Sequence, residues 1–106
     1  MNLARHVSRI AARSPDQVAI VFEGKRLTYG VLDACANALA GALTRHGIGR
    51  GDRVALYLPN IPAFALVYLA VLRAGAIAVS INAIFKSEEV KHVIGDSGAK
   101  AVFTTA

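Results

Sequence analysis

The sequence has a single cysteine, Cys35, no tryptophan and only three prolines. One thiol can form no internal disulfide, and it cannot supply a four-cysteine metal site. Charged residues make up 18% of the chain and hydrophobic residues 55%, the opposite of the balance that keeps a chain disordered. Nine glycines without a triplet repeat exclude a collagen-like structure. With 106 residues, the chain is expected to be globular, as one domain or as part of a larger one.

Long apolar runs are also missing. The most apolar stretch is 54–83, but Pro59, Asn60 and Pro62 interrupt it and Arg73 ends its charge-free part. The unbroken helical portion is about a dozen residues, short of the roughly 20 that a membrane-spanning helix needs. The N-terminus lacks the apolar core of a secretory signal. These features predict a cytoplasmic protein without a transmembrane segment.

Acidic residues are few, and the net charge is +5. Arg5, Arg9 and Arg13 form one stripe on a predicted helix, 3–14, whose other face carries apolar residues at helical spacing. No aromatic residues interleave with the basic ones as a base-stacking platform requires, so nucleic-acid binding is not expected. A membrane-surface helix has a similar pattern. The small apolar face favours instead a helix docked on the protein, with its arginines in solvent.

Turn and capping residues divide the next part of the chain. The segment Glu23-Gly24-Lys25 predicts a tight turn between strands at 18–22 and 26–28. Thr28 is suited to cap a helix that ends at His46-Gly47, where glycine favours the left-handed conformation after the last turn. The apolar positions of this helix follow the expected spacing: Leu32, Cys35 or Ala36, Leu39 and Leu43.

From residue 53 onward, predicted strands and helices alternate. The strands are expected at 53–58, 77–81 and 101–104, and the helices at 62–74 and 87–95. The first two strands are almost continuously apolar, which is typical of strands buried on both faces of a parallel sheet. The sequence therefore predicts an α/β fold in which a short β-hairpin precedes βαβαβ units with a parallel sheet.

One glycine-rich segment, 47–52, invites interpretation as a phosphate-binding loop. Such loops follow a strand and open a helix, whereas this one follows a helix and opens a strand. A turn is therefore the favoured interpretation.

No other group of residues forms a catalytic pattern. His6, His46 and His92 are far apart and lack metal-ligand spacing, and Cys35 is expected to be a small core residue. The serines lack a nucleophile-elbow sequence. The adjacent Glu88 and Glu89 point in different directions on a helix and cannot face each other as an acid/base pair. We therefore predict no catalytic, cofactor-binding or metal-binding residue within these 106 residues.

A series of short stretches at consistent spacing covers nearly the whole chain: Arg26-Leu27-Thr28-Tyr29, Ala36-Asn37-Ala38-Leu39-Ala40, His46-Gly47-Ile48, Gly51-Asp52-Arg53-Val54-Ala55, Leu58-Pro59-Asn60, Ala70-Val71-Leu72-Arg73-Ala74-Gly75-Ala76, Lys86, Glu88-Glu89-Val90 and Asp96-Ser97-Gly98-Ala99-Lys100. This series resembles the opening of the adenylate-forming, or AMP-binding, enzymes, and more narrowly the N-terminal segment of an acyl-CoA synthetase or fatty-acid–CoA ligase.

The resemblance implies a two-step reaction of the full-length enzyme. A carboxylic acid attacks the α-phosphate of ATP in the presence of Mg²⁺, and coenzyme A then takes the acyl group. The family's catalytic motifs are expected beyond residue 106. Residues 1–106 would then be a single unit, a scaffold within a larger adenylation domain, inactive alone and binding none of these cofactors. Its implied partners are the remainder of that domain, or a second copy through the apolar surface of the helix at 62–74.

Three alternatives stay open at this point: a stand-alone α/β interaction module without catalysis, a basic surface-binding module, and a peptide-synthetase adenylation domain. Ala78, Asn82 and Ala83 favour the acyl-CoA branch over the peptide-synthetase branch, which prefers Tyr and an Asp-Pro pair at these places. Other departures from the family pattern, at Val31, Ile61 and Ser80, bear on the subfamily more than on the fold.

Overall fold

The computed structural model describes residues 3–58, 62–81 and 87–104. The elements, in chain order, are α1 (Leu3–Arg13), β1 (Val18–Phe22), β2 (Lys25–Thr28), α2 (Tyr29–Arg45), β3 (Arg53–Tyr57), α3 (Pro62–Arg73), β4 (Ile77–Ser80), α4 (Ser87–Ser97) and β5 (Ala101–Thr104). This order confirms the predicted hairpin and βαβαβ arrangement. The family comparisons made above at Pro59, Asn60, Ile61, Asn82, Ala83 and Lys86 lie outside the described residues.

The hairpin is antiparallel and turns as its sequence predicts. Phe22 pairs with Lys25 across the turn. Both residues between them have positive φ angles, 51° at Glu23 and 76° at Gly24. Left-handed backbone at both central positions is typical of the type I′ turn, whose twist matches that of the strands it joins.

Both ends of α2 are capped by the predicted residues. The Thr28 side chain accepts a hydrogen bond from the Val31 N–H at 3.3 Å. At the other end, the N–H of Gly47 donates to the carbonyl of Thr44 and that of Ile48 to the carbonyl of Leu43, each at 3.0 Å. Gly47 has a φ of 82°, so this is a Schellman motif.

The three C-terminal strands form one parallel sheet in the order β4–β3–β5. This confirms the predicted parallel arrangement. The central strand is buried, with Val54, Ala55 and Leu56 fully inaccessible. The prediction that 77–81 is buried on both faces is wrong for β4, because Ile77 is 47% exposed. This strand lies at an edge of the described sheet, where neighbours cover it on one side only.

The helices pack against the sheet and against one another through three apolar clusters. One apolar cluster joins α2 and α3 to β3, and a second joins α1 to α2 and α3. Val90 of α4 packs with Ala55 and Ile81 on a third cluster. As predicted, α1 docks through Ala4, Val7 and Ala11, and its arginines are exposed. Among the described residues, none of the helices has the length and hydrophobicity required to cross a bilayer.

Candidate functional site

The glycine-rich loop at 47–52 is bonded to the chain itself. The N–H of Gly49 donates to the Oδ2 atom of Asp52 at 2.8 Å. The N–H groups of Gly51 and Asp52 donate to the carbonyls of Gly75 and Gly49. A phosphate cradle needs several amides directed at the ligand. These amides have internal acceptors, so the interpretation of the segment as a turn is confirmed.

Asp52 connects this loop to the start of the last strand. Lys100 donates from Nζ to the carbonyl of Gly47 at 2.7 Å and lies 3.4 Å from Asp52 Oδ2. The hydrogen bond from the Gly49 N–H lowers the pKa of the Asp52 carboxyl below its usual 3.8. Desolvation opposes this effect, and the hydrogen bond and charge of Lys100 lower the pKa further. The carboxylate therefore occupies the place that an anion would take beside the loop amide.

Arg73, the last residue of α3, forms the most connected polar contact in the described part of the chain. Its Nη2 atom donates to Asp33 Oδ1 at 2.6 Å and to Ser8 Oγ at 2.9 Å. Its Nη1 atom donates to the Asp33 carbonyl and to Asn37 Oδ1, each at 3.0 Å. The planar guanidinium, with five donors, suits this divergent set of acceptors.

The arginine joins three helices that are distant in sequence. Ser8 belongs to α1, Asp33 and Asn37 to α2, and Arg73 to α3. The Arg73 side chain is only 11% exposed and that of Asp33 24%. Such a pair is costly to break, because either charge alone would be left desolvated. The Arg73 side chain therefore fixes the positions of α1, α2 and α3 relative to one another.

Sequence reasoning missed this network and treated Arg73 only as the end of an apolar stretch. A usable signal was present, since Arg73 is the only charged residue of α3 and Asp33 the only acid of α2. An isolated charge on a mostly apolar helix commonly has a partner on a packed neighbour.

The side chains weighed as catalytic candidates are not brought together. His6, His46 and His92 are all exposed, and His92 lies 3.2 Å from Asp96 on the same helix. The expectation that Cys35 is a core residue is wrong, because its side chain is exposed. Ala36, which is fully buried, occupies the core-facing position instead. Glu88 and Glu89 are both exposed in the first turn of α4.

The contacts of the described residues can be compared with what a magnesium ion and a phosphate group require. No group of three or more His, Cys, Asp or Glu side chains within 3–58, 62–81 and 87–104 could hold a metal ion. Five of the loop amides, those of residues 47, 48, 49, 51 and 52, donate to acceptors of the chain itself. No step of a reaction on ATP can therefore be assigned to these side chains.

Two open cavities lie beside the hairpin. The larger cavity, about 350 Å³, is lined by residues of α1, β1, α2 and α3, among them Phe64 and Tyr68. Their rings stack at a centroid distance of 6.2 Å, and both residues are half-buried, whereas Val67 and Val71 on the same helix are buried. The apolar helix α3 is thus covered on only part of its circumference by the described chain. The smaller cavity, about 290 Å³, lies along the hairpin.

Comparison with known proteins identifies the family. Residues 7–106 match the model of the AMP-binding enzymes. The chain is 38% identical over 91 residues to a 3-hydroxybenzoate–CoA ligase of Aromatoleum sp. (strain CIB), an alignment that covers 86% of this chain and 17% of that enzyme.

Solved structures agree. The Mycobacterium tuberculosis fatty acyl CoA synthetase superposes with a TM-score of 0.89 at 37% identity, over 97% of this chain and 21% of that one. NpsA-ThdA from Klebsiella oxytoca, an artificially fused adenylation–PCP di-domain NRPS, superposes with a TM-score of 0.88 at 28% identity, over 95% of this chain and 19% of that one. The chain spans about a sixth of the length of the curated relatives it matches. Together with the match over residues 7–106, these similarities show that the chain belongs to the AMP-binding, adenylate-forming enzyme family.

Proposed function

We propose that this chain forms the N-terminal scaffold of a cytoplasmic, AMP-forming acid–CoA ligase. The full enzyme would activate a carboxylic acid of the fatty-acid class with ATP and Mg²⁺ and transfer the acyl group to coenzyme A. The observation that carries the proposal is the continuous family match from residue 7 to residue 106. Since the chain spans only about 17% of its matched CoA-ligase relative, the chemistry is assigned to the longer protein.

The scaffold role follows from how the described residues are used. Arg73 and Asp33 hold α1, α2 and α3 together, and β3 forms the centre of the sheet. In the described part of the chain, the linings of the two cavities contain no Ser, Cys, His, Asp or Glu side chain to act as nucleophile or acid/base pair, which an active site requires. We expect residues 1–106 alone to be inactive.

Apolar surfaces that the described chain does not cover support the proposal that further parts of the protein pack on it. Phe64 and Tyr68 are half-buried, and Ile77 and Val102 on the outer strands are 47% and 41% exposed. Exposed apolar residues at a sheet edge are typical sites of further pairing. The remainder of the adenylation domain is the proposed cover, with self-association of the chain as the alternative.

The fatty-acid class is the finer part of the proposal. A fatty acyl CoA synthetase and an aromatic-acid CoA ligase are both among the similar proteins, and so is an NRPS adenylation module. Ala78 in β4, together with Asn82 and Ala83, departs from the peptide-synthetase pattern. These are scaffold positions, so they support the acyl-CoA branch without defining the acid.

The test uses the full-length protein with ATP, magnesium and a panel of aliphatic, aromatic and amino acids. AMP release is measured with and without coenzyme A. We expect turnover that depends on coenzyme A and is fastest with an aliphatic acid. Activation of amino acids only, indifferent to coenzyme A, would place the protein with the peptide synthetases. No AMP release with any acid would support the non-catalytic module.

A further inference from the structure

The exposed face of α1 is cationic along its length. Arg5, Arg9 and Arg13 are all exposed and recur at every fourth residue, and the helix contains no acid. Four residues of an α-helix rise about 6 Å and turn about 400°, so each arginine is displaced by only about 40° around the helix from the one before it. The three side chains therefore form one ridge, which spans about 12 Å along the helix axis.

The opposite face of α1 is already in use. Ala4, Val7 and Ala11 are buried against the protein. Ser8 accepts a hydrogen bond from Arg73 at 2.9 Å. A helix that lies in a bilayer surface buries its apolar face among the lipids, and the apolar face of α1 is not available for this. A partner must therefore engage the helix chiefly through its charges.

The acids of the described chain leave this positive charge in place. Asp33 contacts α1 but accepts a hydrogen bond from Arg73 Nη2 at 2.6 Å, so its charge is compensated there. Asp16 is exposed in the loop after the helix. Within the described residues, no ion pair engages Arg9 or Arg13.

The residue types of the ridge favour a carboxylate partner. All three cations are arginines, whose planar guanidinium groups form paired hydrogen bonds with a carboxylate. A single-stranded nucleic acid fits less well, because α1 has no aromatic side chain on which a base could stack. A second copy of the chain would present the same cations and be repelled.

We propose that the exposed face of α1 docks an acidic helix of a partner protein, with carboxylates at four-residue spacing opposite Arg5, Arg9 and Arg13. Ridges formed by every fourth residue interdigitate when two helices cross at about 50°, so acids on such a ridge would lie along the arginines. The inference goes beyond the proposed ligase activity, because it assigns a protein-docking surface that needs neither ATP nor coenzyme A.

The experiment uses the full-length protein and a fluorescein-labelled, alanine-rich helical peptide with glutamates at four-residue spacing. A peptide of the same composition, with its glutamates distributed around the helix, is the reference. Fluorescence polarisation at low ionic strength measures the dissociation constant of each peptide. We expect the ordered peptide to bind more tightly, and added salt to weaken its binding, because exposed ion pairs are screened.

Substitutions locate the binding surface. Arg9→Gln/Arg13→Gln should weaken binding of the ordered peptide about fivefold, since two exposed ion pairs together contribute about 1 kcal/mol. Arg9→Lys/Arg13→Lys keeps the charge but loses the planar guanidinium, so it should weaken binding less, about twofold. The matched control Arg45→Gln/Lys91→Gln removes the same charge from exposed positions on α2 and α4 and should leave binding unchanged.

Equal binding of the two peptides, or equal weakening by the two glutamine variants, would overturn the proposal. So would the absence of peptide binding to the full-length protein, which is the result expected if the remainder of the chain covers α1. Flotation with phosphatidylglycerol vesicles, compared with phosphatidylcholine vesicles, tests a lipid partner. Vesicle binding that depends on Arg9 and Arg13, without peptide binding, would assign this face to an anionic bilayer instead.

Discussion

At the residue scale, Arg73 is the side chain whose loss should matter most. Its side chain is almost buried. Among the described contacts, it is the only side chain of α3 that forms hydrogen bonds with side chains of both α1 and α2. Arg73→Met keeps much of the stem volume but leaves the Asp33 carboxylate without its cation. We expect the free energy of unfolding to fall by about 2–4 kcal/mol. Urea titration followed by circular dichroism measures it.

The control for this substitution is Arg45→Met, on the exposed last turn of α2. It should change stability by less than about 0.5 kcal/mol. The double variant Arg73→Met/Asp33→Leu should recover much of the loss, because no charge then stays desolvated. Equal effects of the two methionine variants would show that the network is dispensable.

Asp52 predicts a pH dependence. Its folded-state pKa lies below 3.8, so its contribution to stability is fully present well above that pH and is lost as the pH falls through 3.8 toward the folded value. Asp52→Asn should therefore destabilise the protein at pH 7, and the difference from the parent should vanish at low pH.

Urea unfolding at several pH values between 7 and 3 tests this dependence. Asp16→Asn, which removes an exposed acid from the loop after α1, is the control and should have little effect. A destabilisation by Asp52→Asn that stays constant down to pH 3 would mean that the charge of Asp52 is irrelevant.

At the element scale, the close approach of α2 to the loop between α1 and β1 depends on a glycine. A Cβ atom at Gly30 would lie 3.0 Å from the carbonyl oxygen and 3.1 Å from the Cβ of Pro15. The Gly30 N–H also donates to that carbonyl at 3.0 Å. Gly30→Ala should therefore cost about 1–3 kcal/mol, because the proline ring and backbone have little freedom to move.

The matched substitution is Gly95→Ala, in helix α4, where the added Cβ meets nothing within 4 Å. Alanine is the better helix former, so stability should rise by up to about 1 kcal/mol. Thermal unfolding of both variants separates the two effects. If Gly30→Ala were as well tolerated as Gly95→Ala, the first turn of α2 would not be held against Pro15 as described.

At the scale of the whole molecule, we expect residues 1–106 to lack a tight ATP site. Five of the six loop amides at 47–52 donate to acceptors within the chain, and the described residues contain no acid or histidine cluster for magnesium. Calorimetric titration of this chain with Mg-ATP should show no binding in the micromolar range. The full-length protein is the comparison, and stoichiometric binding to the 106-residue chain would reveal a site that these contacts do not suggest.

The sequence by itself determined the order and type of the elements. The turn and cap residues Thr28, Gly24 and Gly47 act through hydrogen bonds and backbone angles within a few residues. Their effects are local, so they can be predicted from the sequence. The alternation of apolar strands and helices likewise predicted the parallel sheet. The family could be identified for the same reason, because its signature is a string of such local segments.

Only the tertiary structure decided which side chains meet across long separations. Arg73 and Asp33 are 40 residues apart, and their pairing depends on how α2 and α3 cross. The choice between Cys35 and Ala36 for the core is a rotation of about 100° on a helix, which periodicity leaves open when both residues are small. Ile77 in β4 is exposed because burial is set by the neighbours of a strand, and its own apolar sequence does not say whether it lies at the centre or at an edge of the sheet.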